Sequence, residues 1–434
     1  MASTRLNRTQ TAGNQKTLTI SAWLKRCGNF AGYNHLFTNS PNPGSWDSVR
    51  FDNDDQLAVR INNDTYVIKT NRKFRDTSGW YHIVVAIDTT QATSSDRVKI
   101  YVNGVQETSL ASSSYPTQNL DTNFNKNSET LQIGANTWNN NEFFDGLMSH
   151  VHLIDGTAYD ASAFGQYDAN GVWTLKNSPS VTYGTNGFFI FKDSQSITDQ
   201  SGQGNNFTVA GGTLTNTEDN PSNIFATMNP LVKSGNSLTN GNLTVTQNSG
   251  TNYQNSISTL AVTKGKWYAE CKLSNISGLF PGVGIIDVSE KCAGDGDNNE
   301  YFGTTANPKG VELFTGGFYT TGNGTNTSLT SNSTNDIIGI ALDLDSATKN
   351  IKMYRNGTLI TGSSVTPPDP DGGYAFGVTL YSTSSGAVAE WNFGNGYFGT
   401  TAVASAGTNA SGIGIFEYDV PTGYTALSTK GLNL

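Results

Sequence analysis

The two halves of the chain repeat one hairpin pattern, and this repeat constrains the fold more than any other feature. In the first half, the apolar run 80–88 is followed after a polar stretch by 99–104, which ends in Asn-Gly. In the second half, the apolar run 336–343 is followed by 352–357, which also ends in Asn-Gly. Asn-Gly supplies the positive φ angles of a tight hairpin turn, and each run is apolar enough for a buried strand. The repeat therefore predicts one antiparallel β fold used twice.

Short strand-like segments separated by turn residues continue along the whole chain. Residues 16–25, for example, alternate aliphatic side chains with more polar ones. Of the 434 residues 47 are glycine and 35% are hydrophobic, while aromatic residues reach 11%. Glycine and asparagine favour turns, whereas threonine and aromatic residues favour half-buried strands. The sequence predicts an all-β protein without long helices.

The strand pattern lapses once, between residues 212 and 229, where Thr, Asn, Glu, Asp and Pro dominate. Such a stretch is typical of a domain boundary. We therefore predict a first domain over 1–212, a linker over 213–235 and a second domain over 236–434.

Charge and cysteine content exclude several classes of protein. The net charge of −9 comes without any run of Lys or Arg, which argues against nucleic acid as a partner. The three cysteines, Cys27, Cys271 and Cys292, form no metal-binding motif and are interpreted as mostly free thiols, although a Cys271–Cys292 disulfide stays open. No apolar leader and no membrane span are found, so we expect synthesis in a cytosol.

Two sets of motifs resemble known families. The first half carries Leu18-Thr-Ile-Ser-Ala-Trp23, Gly79-Trp-Tyr-His82 and Phe144-Asp-Gly146 and resembles a laminin G-type member of the concanavalin A-like lectin/glucanase superfamily. The second half carries Gly265-Lys-Trp-Tyr-Ala-Glu270 and Glu390-Trp-Asn-Phe-Gly394 and resembles a SPRY domain, which has a related fold. The resemblance implies two concanavalin A-like antiparallel β-sandwiches, or jelly rolls, in tandem.

The tandem as a whole is similar to virion-associated proteins of bacteriophages, notably marine ones. This resemblance implies a non-catalytic protein on the virion surface, either a capsid decoration or spike or a tail fibre. Its partners would be other virion proteins of the capsid or tail and host cell-surface glycans, and a homo-oligomer is an open option. The alternatives are a bacterial surface or secreted lectin and, with less support, a glycoside hydrolase.

An enzyme of this superfamily would need two carboxylates on one face of a strand. The family form Glu-x-Asp-x-x-Glu does not occur here. Asp343 and Asp345 have a suitable spacing, but they stand where a strand runs into a polar turn. We therefore expect that the protein is not an enzyme and has no catalytic residues.

Carbohydrate binding would need an aromatic platform beside amide or carboxylate groups. Three places in the sequence fit this requirement, and the alternative for each is an aromatic ring that caps the sandwich. The candidate ligand-binding residues are Trp138, Asn139 and Asn140, then Trp46 and Asp47, and finally Phe318 and Tyr319.

Calcium is the one cofactor that the sequence brings into consideration, because it prefers several carboxylate and carbonyl oxygens from loops. One candidate cluster comprises Asp52, Asp54 and Asp55, and a second comprises Asp295, Asp297 and Glu300. Solvated hairpin tips explain both clusters equally well.

Overall fold

A computed structural model shows two compact units, residues 1–216 and 217–434. Strands dominate both units, and the helices among the described residues are the short 3-10 segments Ser94–Asp96, Ala161–Ala163 and Gly431–Asn433. The structure describes residues 3–434 except 29–31, 43, 194–195, 249–252, 277–280, 291–300, 306, 315–316, 321–328 and 382–385.

The first unit contains two large antiparallel sheets. Its strands are β1 (Arg5–Thr9), β2 (Thr17–Arg26), β3 (Asn34–Asn42), β4 (Ser45–Phe51), β5 (Gln56–Ile61), β6 (Tyr66–Lys73), β7 (Tyr81–Asp88), β8 (Val98–Val102), β9 (Val105–Gln106), β10 (Leu110–Ser114), β11 (Thr130–Ile133), β12 (Gly146–Asp155), β13 (Gly165–Tyr167), β14 (Trp173–Leu175), β15 (Phe188–Ile190) and β16 (Thr208–Gly211). One sheet has the order β10-β6-β5-β4-β3-β11-β1-β16 and the other β15-β12-β2-β7-β8-β9.

The two sheets of the first unit share one hydrophobic core. Ile20 of β2 and Val85 of β7 pack in the same buried cluster as Val49 of β4 and Val59 of β5, which belong to the opposite sheet. Because side chains alternate along a strand, every second residue faces this core and the others face outward. The unit is therefore a β-sandwich, and the outer face of the sheet with β7 and β12 is itself covered by a second buried cluster that includes Val84, Ile154 and Phe189.

The second unit has the same architecture. Its strands are β17 (Met228–Lys233), β18 (Ser237–Thr239), β19 (Thr244–Thr246), β20 (Gln254–Val262), β21 (Lys266–Asn275), β22 (Gly282–Asp287), β23 (Gly310–Phe314), β24 (Gly317–Thr320), β25 (Ile337–Asp343), β26 (Asn350–Arg355), β27 (Thr358–Leu359), β28 (Tyr374–Leu380), β29 (Val388–Asn392), β30 (Tyr397–Phe398), β31 (Thr401–Ala402) and β32 (Thr425–Ala426). A six-stranded sheet, β17-β20-β28-β22-β23-β24, faces one that includes β19-β29-β21-β25-β26, with Val283 and Trp391 in the shared core.

The structure confirms the all-β prediction and the repeated hairpin. β7 pairs with β8 and β25 with β26, both antiparallel. Asn103 and Asn356, which begin the two turns, have φ angles of 48° and 50°. These are the positive angles that the Asn-Gly pairs predict.

The stretch 213–235, expected to be a linker, contributes to the second unit. The chain divides between residues 216 and 217, and β17 pairs with β20 of the six-stranded sheet. The difference arises because Met228 is fully buried in the core of the second unit, which a composition-based boundary does not register.

The cysteines that the structure describes are buried and form no disulfide among the described residues. They are Cys27 and Cys271, while Cys292 lies outside the described residues. Burial raises the pKa of the Cys271 thiol well above its ordinary value, which keeps it protonated. Within the described ranges, no helix has the length and apolar character needed to cross a bilayer.

Candidate functional site

Two of the sequence candidates, Trp46 and Trp138, lie against each other in the first unit. Trp46 is the second residue of β4, and Trp138 lies in the loop between β11 and β12. Their ring centroids are 5.0 Å apart at an interplanar angle of 36°. Strand pairing of β4 with β3, and of β3 with β11, carries the loop to the start of β4.

Asn136 holds the loop that carries Trp138. Its backbone carbonyl accepts a hydrogen bond from the side-chain amide of Gln132 at 2.7 Å, and its own Nδ2 donates to Glu142 Oε2 at 2.9 Å. The backbone N–H of Asn136 donates to the carbonyl of Asn141 at 3.1 Å. These bonds close the loop on itself and fix where the indole ring stands.

His35 connects the loop to the sheet. Its Nε2 lies 2.9 Å from Glu142 Oε2, its Nδ1 lies 2.9 Å from Thr38 Oγ1, and its ring meets Trp138 edge-on at 5.6 Å. Burial lowers the pKa of His35, so the ring is neutral at pH 7 and Nε2–H donates to Glu142. The hydrogen bond from His35 in turn lowers the pKa of Glu142, which stays a carboxylate.

A cation completes the cluster. The Arg50 guanidinium carbon lies 5.4 Å from the centre of the Trp46 ring and 4.2 Å from that of Tyr33. Its Nε donates to Asp52 Oδ1 at 2.9 Å, which fixes the orientation of the guanidinium plane. We call Trp46, Trp138, His35, Arg50 and Glu142 the tryptophan cluster. An indole, a carboxylate and a guanidinium thus occupy one place on the unit.

The members of this cluster differ in accessibility. Trp46 is only 6% exposed, so it packs against Trp138 and offers little surface to a ligand. Trp138 is half-buried, whereas Asn139 and Asn140 beside it are exposed. A ligand would therefore meet Trp138 and the two amides first.

Asp47 does not join the cluster, although it follows Trp46 in the sequence. Alternation along β4 turns its side chain to the opposite face. There it is fully buried and accepts hydrogen bonds from the backbone of Asn62 at 2.8 Å and from the side chain of Asn123 at 3.1 Å. Burial raises the pKa of Asp47 to about 6. Its role is to anchor two turns of the sandwich.

The third aromatic pair stands on the second unit. Phe318 and Tyr319 lie on β24, opposite Leu313 and Glu312 of β23. Their side chains lie outside the described residues. The structure therefore places the backbone of this pair and leaves its role as a binding platform a prediction.

The first predicted calcium cluster is occupied by ion pairs. Asp52 accepts from Arg50, Arg60 and Lys69, and the pKa of Asp52 is lowered because these bonds outweigh its burial. Asp54 pairs with the same Lys69 at 2.6 Å.

Asp55 faces other cations, with Arg26 at 3.2 Å and Arg75 at 2.7 Å. A calcium ion here would have to displace these partners, so the geometry favours a network of ion pairs over a metal site. The second cluster, Asp295, Asp297 and Glu300, lies outside the described residues. Over the part of the chain that is described, no group of three His, Cys, Asp or Glu side chains is arranged to hold a metal.

Two buried carboxyl groups of the second unit have no counterpart among the sequence candidates. Glu270 on β21 accepts from the backbone N–H groups of Glu417 and Tyr418, both at 2.9 Å, and burial raises its pKa to about 7. Glu312 on β23 accepts from Thr379 Oγ1 at 2.8 Å, and burial raises its pKa to about 8. What distinguishes these two carboxyl groups from other acidic residues is their position on inner strands. The only sign of this position in the sequence is the apolar residues that flank them.

Comparisons with known proteins agree with the fold. Residues 2–161 match the family model described as the concanavalin A-like lectin/glucanases superfamily, of laminin G type. No curated protein sequence matches the chain.

Several solved structures are similar at low identity. The SPRY domain of human HERC1 shares 17% identity, with 38% of this chain and 96% of that chain covered and a TM-score of 0.32. A heptameric SAP-like pentraxin from Limulus polyphemus shares 16%, with 36% and 71% covered and a TM-score of 0.28. Domain 4 of the arabinanase AbnA from Geobacillus stearothermophilus shares 19%, with 34% and 64% covered and a TM-score of 0.25. Residues 2–161 are thus similar in sequence to laminin G-type members of the concanavalin A-like lectin/glucanase superfamily.

Proposed function

We propose that the first unit binds carbohydrate without catalysis, through Trp138 and the exposed amides of Asn139 and Asn140. The observation that carries this proposal is the position of Trp138, which is half-buried, packed against Trp46 at a tilt of 36° and followed by exposed amides. A sugar ring offers an apolar C–H face to an indole and hydroxyl groups to neighbouring polar side chains.

The rigidity of the cluster supports this role. Trp46 lies beneath Trp138, and the loop is closed by the bonds of Asn136 and Glu142. A platform that is already ordered loses little conformational entropy when a ligand binds. Glu142 keeps its negative charge and can accept a hydrogen bond from a hydroxyl group at the rim.

The state of the carboxylates supports binding over hydrolysis. A glycosidase needs one carboxyl that stays protonated beside one that is ionised. Glu142 is held as a carboxylate by His35, and Lys266 and Ser346 hold the pKa of Asp343 near 2. Neither group is suited to donate a proton at neutral pH.

The setting that we propose is the surface of a bacteriophage virion, where the protein would be a capsid decoration, a spike or part of a tail fibre. The support is the resemblance of the tandem to virion-associated proteins. Mass spectrometry of purified particles would find the chain at a fixed stoichiometry with capsid or tail proteins. Its absence from intact particles would contradict this setting and favour a bacterial lectin.

The binding proposal is tested on a glycan array with the full chain. Trp138→Ala should weaken binding roughly tenfold or more, because the stacking surface is lost. Tyr167→Ala is a matched control, since Tyr167 is an exposed aromatic residue of the same unit with 55% of its surface accessible. Circular dichroism checks that both variants fold. Array binding that is absent from the wild type, or equal in Trp138→Ala and wild type, contradicts the proposal.

A further inference from the structure

The first unit contains an open groove that the tryptophan cluster does not reach. It lies at the end of the eight-stranded sheet, where β1, β11 and β16 meet, and has a volume of about 540 Å³. This volume falls within the range of small-molecule sites, roughly 300 to 1,000 Å³. The groove is therefore large enough for a short oligosaccharide.

Strand register explains which side chains line it. Asn7 of β1 stands opposite Thr208 of β16, and Thr9 stands opposite Thr130 of β11. Along β1, Asn7 and Thr9 lie on the face opposite to Leu6, which faces the core. The pairing thus sets three hydroxyl groups and an amide along the groove, and all four residues are among those that line it.

Arg8 forms a fixed, polar part of the wall. Its side chain is 8% exposed, and its guanidinium donates to Asn186 Oδ1 at 3.0 Å and to Asn205 Oδ1. Its positive charge is balanced by the nearby carboxylates of Asp155 and Asp199, which do not line the groove. The groove is therefore polar without a strong net charge.

The side chain of Asn7 has an acceptor without a hydrogen-bond donor among the residues that the structure describes. Its Oδ1 is buried and accepts no hydrogen bond from the described residues. A buried acceptor without a donor is unfavourable by about 1 to 3 kcal/mol. This oxygen has almost no accessible surface, so a hydroxyl group in the groove would reach it only if the amide turned outward.

These features select the chemistry of the ligand. Unlike the site at Trp138, the groove has among its described lining residues no aromatic ring that could stack on a ligand and no carboxylate, so hydrogen bonds alone would hold a ligand there. An apolar ligand would strip water from hydroxyl and amide groups without replacing their hydrogen bonds. The hydroxyl groups of a neutral polyol replace the hydrogen bonds that the lining residues lose with water. A neutral ligand also needs no compensating charge.

We propose that this groove is a second carbohydrate site of the first unit, which takes a neutral di- or trisaccharide through Thr9, Thr130, Thr208 and Asn7. It is separate from the site at Trp138 and does not depend on it. A chain with two such sites would hold a polysaccharide by avidity, so each contact could be weak on its own.

The test uses the full chain with Trp138→Ala as the background, which removes the first site. Isothermal titration is carried out with maltotriose, laminaritriose, cellotriose and mannotriose in turn. We expect saturable binding of at least one of them. The double variant Thr130→Val/Thr208→Val removes two hydroxyl groups at nearly constant volume, and it should weaken that binding roughly tenfold or more.

Thr401→Val is the control, because Thr401 is an exposed strand threonine of the second unit. It should leave the affinity unchanged. The proposal is overturned if the Trp138→Ala chain binds none of the four sugars, or if the double variant binds as well as Thr401→Val does. Failure of the Trp138 site shows separately, as equal binding by wild type and Trp138→Ala on the array.

Discussion

Asn103 bonds twice to His82 and so ties the end of β8 to the start of β7. Its side-chain Oδ1 accepts from the backbone N–H of His82 at 2.8 Å, and its own backbone N–H donates to the carbonyl of His82 at 2.9 Å. In the second unit, Asn356 makes the same two bonds with Ile337, both at 2.9 Å. The two units therefore share a turn in which asparagine has two roles: its backbone adopts the positive φ angle, and its side chain accepts a hydrogen bond.

Replacing either asparagine should destabilise its own unit. Asn103→Ala and Asn356→Ala each lose the acceptor and place alanine at a positive φ, so we expect a loss of about 2 to 4 kcal/mol in the free energy of unfolding. Urea titration of each variant measures this loss. Asn140→Ala is the control, because exposed Asn140 also has a positive φ of 52° and reports the backbone strain alone. Equal losses for Asn103→Ala and Asn140→Ala would show that the side-chain bond contributes nothing.

The first unit should lose stability in acid because His82 is buried as a neutral ring. Ser21 Oγ lies 2.9 Å from its Nε2, and Trp173 Nε1–H donates to its Nδ1 at 3.0 Å. Burial lowers the pKa of His82 from 6.5 to about 3. Between these two pKa values His82 is protonated in the unfolded chain and neutral in the folded unit. The free energy of unfolding therefore falls by up to about 1.4 kcal/mol for each pH unit of acidification.

Hydrogen exchange of the full chain, corrected for intrinsic rates, measures this effect at pH 7 and pH 5. Amides of β2 and β7 should exchange faster at pH 5, with a loss of about 2 kcal/mol in the free energy of opening. The second unit contains no histidine, so its amides should not lose protection at pH 5 through this effect. Unchanged protection in β2 and β7 would mean that His82 does not titrate in this way.

Local patterns allowed the hairpins to be predicted, whereas the candidate site depended on register. An Asn-Gly pair at the end of a strand-like run contains the whole signal for a turn. The contact of Trp46 with Trp138, by contrast, requires β3 to lie between β4 and β11, which no local pattern specifies. Trp46 and Asp47 are neighbours in the sequence, but both lie on β4, where alternation places their side chains on opposite faces.

The second unit should respond to pH in the opposite direction because of Glu312. The carboxyl is fully buried, its Oε1 accepts no bond from the described residues, and its pKa rises from 4.5 to about 8. The folded unit keeps a proton that the unfolded chain releases above pH 4.5, so stability falls as the pH rises towards 8. Glu312→Gln removes this titration. In urea titrations it should be more stable than wild type at pH 8, with the advantage shrinking at pH 5; a constant difference would contradict the assignment.

Glu270 should control how firmly the segment at 417–418 is held to β21. Both of its oxygens accept backbone N–H groups of that segment, and Asn392 also approaches Oε2 at 3.3 Å. Glu270→Ala leaves those N–H groups without their acceptors, so the amides of residues 417 and 418 should exchange at least tenfold faster. Glu417→Ala is the control, since it removes a neighbouring carboxylate that accepts its hydrogen bond from the backbone N–H of Ala404 instead. If both variants speed exchange equally, the segment is held by packing around Phe416, which is 1% exposed, and the carboxyl of Glu270 is a buried acid without an anchoring role.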